Sequence, residues 1–317
     1  MRLLIITQKV DKNDPVLSFF HRWIEEFATY YNKITVICLE KGMYDLPKNV
    51  KVLSLGKERK RSNVRYIAQF YKYIWQERKN YNSVFVHMNQ EYVVLGGLLW
   101  KLWRKKTYLW RNHAKGNFLT RIAVVLSDKV FCTSPQSYTA RFKKTQIMPV
   151  GIDTDFFKPD LSVSKESNSI LFLGRISPVK KVLEFIDWLH DLDKQGRQFI
   201  ATVAGDSLPR DAQYKREVRE KVSKYGLASK VKFTGPVIEN EALKLYQSHE
   251  TYVNMTPRGS MDKTILEAAA CEMILLVDNQ DIKDILKNKK GRELRDFVVE
   301  NHSLKVLMDK FNLVFNE

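Results

Sequence analysis

Short, largely apolar runs alternate along the chain with longer stretches of helical periodicity. The runs occupy residues 3–7, 34–38, 84–87, 107–110 and 129–133 in the first half, and 170–173, 200–204, 231–234, 251–254 and 273–277 in the second. Runs this short and this continuous suit strands covered on both faces, and their interleaving with helical segments predicts βαβ units and parallel sheets. The helical segments carry their own signature, with Val182, Ile186 and Leu189 on one face and Tyr214, Val218 and Val222 on another. The polar stretch 162–169 (SVSKESNS) reads as a linker and places a boundary near residue 160. The expected organisation is an α/β domain over 1–160, a second over 161–290 and a C-terminal helix over 291–317. That last segment carries Leu294, Phe297, Val298, Leu304, Leu307, Met308, Phe311 and Phe315. An amphipathic helix of this kind must dock, and it is expected to pack back on the first domain.

Composition agrees with two cores. The chain has 317 residues, of which 44% are hydrophobic, where one domain ordinarily takes ~100–200. Residues 93–103 (VVLGGLLWKLW) are the most apolar run, but at 11 residues they fall short of the ~20 that span a bilayer, so they predict a helix on the first sheet. The apolar start is too brief for a signal peptide, and a cytoplasmic protein is expected. The three cysteines, Cys38, Cys132 and Cys271, lie far apart and outside any CxxC spacing, so they read as small buried apolar residues. A net charge of +17 calls for an anionic partner. Much of it falls in the first half, at 57–65, 104–106 and 141–144, beside Trp100, Trp103, Tyr108 and Trp110. A basic surface rimmed by aromatics suits peripheral attachment to an anionic membrane, here the inner face of the cell membrane. Solvated loops and helix ends are the plain alternative. Nucleic acid is not an expected partner, because no recognition motif accompanies the charge.

Two fragments of the second half carry candidate chemistry. In Gly174-Arg175-Ile176-Ser177-Pro178-Val179-Lys180, the arginine leaves the end of a buried strand and the lysine lies five residues on, near a helix start. Strand ends and helix N-termini of doubly wound folds are where anions bind, and an arginine fork with a lysine point charge suits two phosphates. In the second fragment, 262–268 (DKTILEA), Glu267 sits on a helix where its carboxylate can accept both hydroxyls of a ribose. In the first half, His87 and Glu91 follow one predicted strand and His113 another, positions open to an acceptor or to proton transfer.

Residues 148–159 (MPVGIDTDFFKP), 174–181 (GRISPVKK), 203–206 (VAGD), 231–235 (VKFTG) and 266–271 (LEAAAC) follow one another in the order seen in family 4 glycosyltransferases. The chain resembles these retaining enzymes of the GT-B fold most strongly over 148–277. The resemblance implies two Rossmann-like doubly wound domains facing a central cleft, with a nucleotide diphosphate sugar held by the second and the acceptor by the first. It implies no metal and no cofactor. By position, Arg175 and Lys180 match the pair that contacts the donor diphosphate, Gly174 and Gly205 belong to the motifs around it, and Glu267 matches the ribose-binding glutamate. His113 corresponds to the cleft histidine of many relatives. The acceptor expected by analogy is a glycan or a lipid-linked sugar of cell-envelope or polysaccharide assembly.

The sequence departs from the family at defined places. Relatives usually carry a second glutamate eight positions before the first, but that position is Gly259, so Ser260, Asp262 or the backbone of the 259–262 turn must meet the sugar. The loop 8–15 after the first strand has no glycine, and Glu272 stands where a glycine follows the Ala-Cys pair. These departures keep open a second reading, a non-catalytic sugar-nucleotide or polysaccharide-binding protein derived from such an enzyme.

Overall fold

The computed structural model describes residues 1–60, 62–257, 262–286 and 288–316. These residues divide into unit 1, Met1–Gly151 with Leu304–Glu317, and unit 2, Ile152–Ser303. Unit 1 runs β1 (Arg2–Val10), α1 (Ser18–Tyr30), β2 (Lys33–Lys41), β3 (Val50–Ser54), α2 (Asn63–Gln76), β4 (Ser83–His87), α3 (Gln90–Leu102), β5 (Lys106–Trp110), α4 (Phe118–Leu126), β6 (Lys129–Cys132) and β7 (Thr145–Ile147). Unit 2 runs β8 (Glu166–Leu173), α5 (Val182–Lys194), β9 (Ile200–Ala204), α6 (Ala212–Lys224), β10 (Val231–Gly235), α7 (Glu239–Ser248), β11 (His249–Asn254), α8 (Lys263–Ala270), β12 (Ile274–Val277), α9 (Gln280–Ile285) and α10 (Arg292–His302). The last helix, α11 (Leu304–Asn316), returns to unit 1.

Both sheets are wholly parallel. Their orders are β3-β2-β1-β4-β5-β6-β7 and β10-β9-β8-β11-β12, each reversing direction beside its first strand, which is the Rossmann pattern. In unit 1 the reversal lies between β1 and β4, paired in register from Leu3↔Ser83 to Ile6↔Val86. In unit 2 it lies between β8 and β11, where Leu171 pairs with Tyr252. The predicted strands are all present. Sequence reading missed β3 and β7, the two edge strands, because VKVLS is half-exposed and TQI is three residues long.

Apolar faces explain the layers. In unit 1, Phe20, Trp23, Ile24 and Phe27 of α1 pack with Leu307, Phe311 and Phe315 of α11 on one face of the sheet. Phe70 and Ile74 of α2, Val93 and Trp100 of α3 and Val124 of α4 cover the other face. Residues 93–103 thus lie on or at the end of a helix that packs on the first sheet, and no described helix is long and apolar enough to cross a membrane. In unit 2, Val182, Phe185, Ile186 and Leu189 of α5 and Val218 and Val222 of α6 cover one face. The three cysteines are buried and free.

Two organisational expectations are corrected. The boundary expected near 160 falls between Gly151 and Ile152. Residues 152–160 are tied into unit 2, with Phe157 buried against Tyr246 at 6.0 Å. Arg295 of α10 binds the carbonyls of Thr154, Phe157 and Ala270, and the polar stretch 162–169 leads directly into β8. The single terminal helix expected over 291–317 is two helices. Ser303 is extended and bridges to Ile152, so the amphipathic pattern is interrupted and only α11 joins the core of unit 1.

Candidate active site

The charged groups of unit 2 converge where β8 and β11 end side by side. Gly174 and Arg175 follow the last residue of β8, and a short 3-10 turn, Pro178–Lys180, brings the chain round before α5. Arg175 is exposed and, among the described residues, has no ion-pair partner. Lys180 is half-buried, its stem running over Gly174 with its Cδ and Cε 3.9 and 3.8 Å from where a Gly174 side chain would begin. Its ammonium forms an ion pair with Asp262, the residue that precedes α8. The cation expected at a helix start therefore sits on a turn and is aimed by a carboxylate.

Asp262 is 9% exposed and fully engaged. Its Oδ2 takes Lys180, Asn254 Nδ2 at 2.9 Å and Thr256 Oγ1 at 3.2 Å, while Oδ1 takes Thr264 Oγ1 at 3.0 Å. Burial pushes this carboxyl up, but the Lys180 charge and the donors from Lys180, Asn254 and Thr264 outweigh it and hold it below the usual range. Three of these four bonds fall on Oδ2, so this buried carboxylate is oriented chiefly by Lys180, Asn254 and Thr256 and holds the ammonium in place. The network continues inward: Tyr252 Oη donates to Thr264 Oγ1 at 2.6 Å, and Asn254 donates to Tyr252 Oη at 3.2 Å.

Glu267 lies further along α8 and is 7% exposed. Its Oε2 accepts from Tyr246 Oη at 3.0 Å and its Oε1 faces Lys263 Nζ at 3.4 Å. Burial raises its pKa, with Glu239 adding to the rise and Lys263 and Tyr246 opposing it. Gly205 has a purely steric reason. With φ at +132°, a Cβ there would stand 2.0 Å from the carbonyl oxygen of Gly174, so only glycine lets the ends of the paired strands β8 and β9 run this close. Ser177 contributes an unexpected feature, a buried hydroxyl without a hydrogen-bond partner among the described residues, in the same loop as Arg175 and Lys180. Gly259 and Ser260, expected near the sugar, lie outside the described residues.

A cavity of about 750 Å3 runs beside β12, lined by Trp188, Leu276, Asp278 and Leu294 among others. It meets the polar network only at Asn254 and is not lined by Arg175, Lys180 or Glu267. The charged cluster and the cavity are therefore separate features of unit 2.

In unit 1 the two histidines separate. His113 is exposed in the loop after β5, with Nδ1 held 3.0 Å from the amide and 2.9 Å from the carbonyl of Lys115. Nε2 is left without a partner among the described residues. His87 is corrected: it is 1% exposed, stacked on Phe20 at 3.8 Å, with Nδ1 bonded to Thr7 Oγ1 at 3.2 Å. It packs α1 against β4 and reaches no acceptor. Glu91 is exposed in the first turn of α3 and lines a cavity of about 410 Å3 between α2 and α3.

Sequence reading missed Gln90 and Arg111 in this unit. Gln90 Nε2 donates to Asn117 at 3.2 Å, while its buried Oε1 and the buried Nη1 of Arg111 have no partner among the described residues. Their signal was the position of a polar residue directly after an apolar strand or at a helix start, the same signal that marks Asn254. The glycine-free loop after the first strand also has an account. β1 runs on to Val10, and Lys9 pairs with Asp11, Asp14 and Glu40. Although burial opposes it, these carboxylates raise the Lys9 pKa and keep the ammonium charged.

Residues 153–317, more than half of the chain, match the family model described as glycosyl transferases group 1. No curated protein matches. Among solved structures, HepE of Anabaena in complex with UDP and glucose is 16% identical with a TM-score of 0.76, each chain covered in full. A glycosyltransferase from Rickettsia africae is 14% identical at a TM-score of 0.75, covering 99% of this chain and 97% of its own. A TarM mutant from S. aureus, in complex with Fondaparinux, alpha-GlcNAc-glycerol and UDP, is 10% identical at 0.73 over the whole of both chains. These likenesses show the fold, which is GT-B. With the ordered motifs, the doubly wound sheets and the family match together, the chain belongs to the group 1 glycosyl transferases.

Proposed function

We propose that the chain is a retaining, metal-independent glycosyltransferase of family 4 type, which moves a sugar from a nucleotide diphosphate donor to a glycan or lipid-linked acceptor in cell-envelope or polysaccharide assembly. The observation that carries the reading is the Lys180–Asp262 pair at the end of β8: a cation held in place before any ligand arrives. Fixed charges that meet a group only as it becomes more negative lower the barrier to its departure without costly reorganisation. As the bond from the sugar C1 to the diphosphate oxygen breaks, its electron pair passes to the diphosphate, which Lys180, Arg175 and the Ser177 hydroxyl receive. The acceptor hydroxyl oxygen bonds to C1 and its proton goes to the departing phosphate oxygen. No metal is needed to neutralise that charge. Glu267 accepts the ribose hydroxyls, and UDP, bound by two of the structural neighbours, is the donor nucleotide of choice. The acceptor falls to unit 1, where His113 Nε2 and Glu91 contact its hydroxyls.

A second reading is favoured by one feature. With Gly259 eight positions before Glu267 and Asp262 ion-paired to Lys180, the glutamate that relatives carry toward the sugar is absent, as expected of a protein that binds donor without turning it over. Melting the protein with UDP, GDP, ADP and their glucose conjugates separates the readings, since a ligand of the native state raises the melting point. A shift with one diphosphate, followed by its release from the sugar conjugate, supports transfer, and the rate is expected to fall ~10²–10³-fold in Lys180→Ala and in Arg175→Ala. A shift without release supports the binding protein, and no shift with any nucleotide overturns both.

A further inference from the structure

The layer of helices α2, α3 and α4 in unit 1 shows more apolar surface than its packing uses. On α2 the inward stripe is Phe70 and Ile74, yet Val64, Ile67, Tyr71 and Trp75 form a second stripe at helical spacing, 77, 42, 37 and 56% exposed. On α3, Leu98 and Leu102 continue it, 70 and 76% exposed. The two stripes are neighbours, because Tyr71 Oη donates to the Leu95 carbonyl at 3.0 Å and Trp75 meets Trp103 edge-on at 5.8 Å. A surface helix ordinarily needs one apolar stripe, and a contiguous second one marks an interaction face.

The charge around this face names the occupant. From α2 to the residues after it and from α3 into β5, Arg65, Lys72, Lys79, Lys101, Arg104 and Lys106 are exposed. Arg78 lies over the Trp75 ring at 4.2 Å. The acidic residues of the same stretches are Glu77, buried on Lys51, and Glu91 at the start of α3. Aliphatic side chains, tryptophans at their margin and a surplus of cations beside them are what a bilayer of anionic lipid selects: acyl chains for the leucines, the headgroup boundary for the rings and phosphate for the cations.

We infer that the outward face of α2 and α3 in unit 1 docks on an anionic lipid bilayer, with Trp75, Leu98 and Leu102 inserted at the headgroup boundary. This goes beyond the transfer reaction and stands whether or not donor is turned over. Sedimentation of the whole protein with phosphatidylcholine vesicles, with and without phosphatidylglycerol, tests it at physiological salt. Binding should require the anionic lipid and should fall roughly tenfold or more in the Leu98→Ser/Leu102→Ser variant. Both positions are on the surface, so the variant should keep the parent melting point and any nucleotide shift. Failure to bind either vesicle overturns the inference. So does unchanged binding of the double variant, which would reduce the contact to diffuse charge, and so does a parent dimer that the variant converts to monomer, which would make a second copy the occupant. A missing nucleotide shift with vesicle binding intact would count against both nucleotide-binding readings and leave the bilayer contact standing.

Discussion

Asp262 decides what Lys180 is for. The carboxylate accepts four hydrogen bonds and holds one ammonium toward the end of β8, so removing its charge leaves a half-buried cation with neutral partners. Asp262→Asn is expected to cost about 3 kcal/mol at neutral pH, read by denaturant unfolding. The sign follows from the lowered carboxyl pKa: the stabilisation is whole above the unfolded-state value and is lost as pH falls through the lower folded value. Glu267 behaves oppositely. Its raised pKa means that folding favours the protonated form, a contribution present in acid and lost as pH rises through the folded value. Glu267→Gln should therefore melt above the parent at pH well over the carboxylate range, with the gap closing in acid, while losing affinity for the nucleotide. A parent that melts higher at every pH would exclude a buried strained carboxylate there. The charged residues of this site were legible in the sequence because they interrupt apolar strand–helix junctions. Tyr246, Tyr252 and Thr264, which connect Asp262 to Glu267, were not, since a tyrosine on a strand or a threonine on a helix looks the same whether it packs or donates.

Helix ends and strand ends show where local rules bend. α8 closes with the Glu272 amide bonded to the Ala269 carbonyl at 3.0 Å and the Met273 amide to Ala268 at 3.2 Å, a left-handed cap that normally takes glycine. Glu272 holds φ at +57° instead. Glu272→Gly is expected to stabilise unit 2 by about 1 kcal/mol, seen as a raised melting point. Gly205→Ala should do the reverse by about 3 kcal/mol or more, because its methyl would strike the Gly174 carbonyl in a backbone conformation only glycine tolerates. An alanine variant that melts with the parent would show that the ends of β8 and β9 have room to separate. Most strands were legible as continuous apolar runs between helical patterns. The edge strands β3 and β7 were not, because a strand paired on one side needs neither length nor full burial, and the break at Ser303 was hidden because its neighbours keep the helical period.

At the scale of the molecule, unit 1 is built from two distant parts of the chain. Phe311 of α11 is fully buried and its ring meets Trp23, Phe27, Phe85, Trp110 and Phe131. Phe311→Ala is expected to cost ~3–5 kcal/mol, measured as earlier loss of the tryptophan signal on unfolding. A variant as stable as the parent would show that unit 1 closes without α11. Sequence reading expected a terminal helix that docks on the first half, since its apolar face had to go somewhere. It did not anticipate that the chain enters unit 2 at Ile152 and leaves at Ser303 on adjacent, hydrogen-bonded backbone. That arrangement sets an order of events during synthesis. In synthesis, everything needed for unit 2 emerges before the segment that completes the core of unit 1, so the earlier half of the message yields the later half of the fold, and Trp23, Phe27 and Phe85 wait for α11 to cover them.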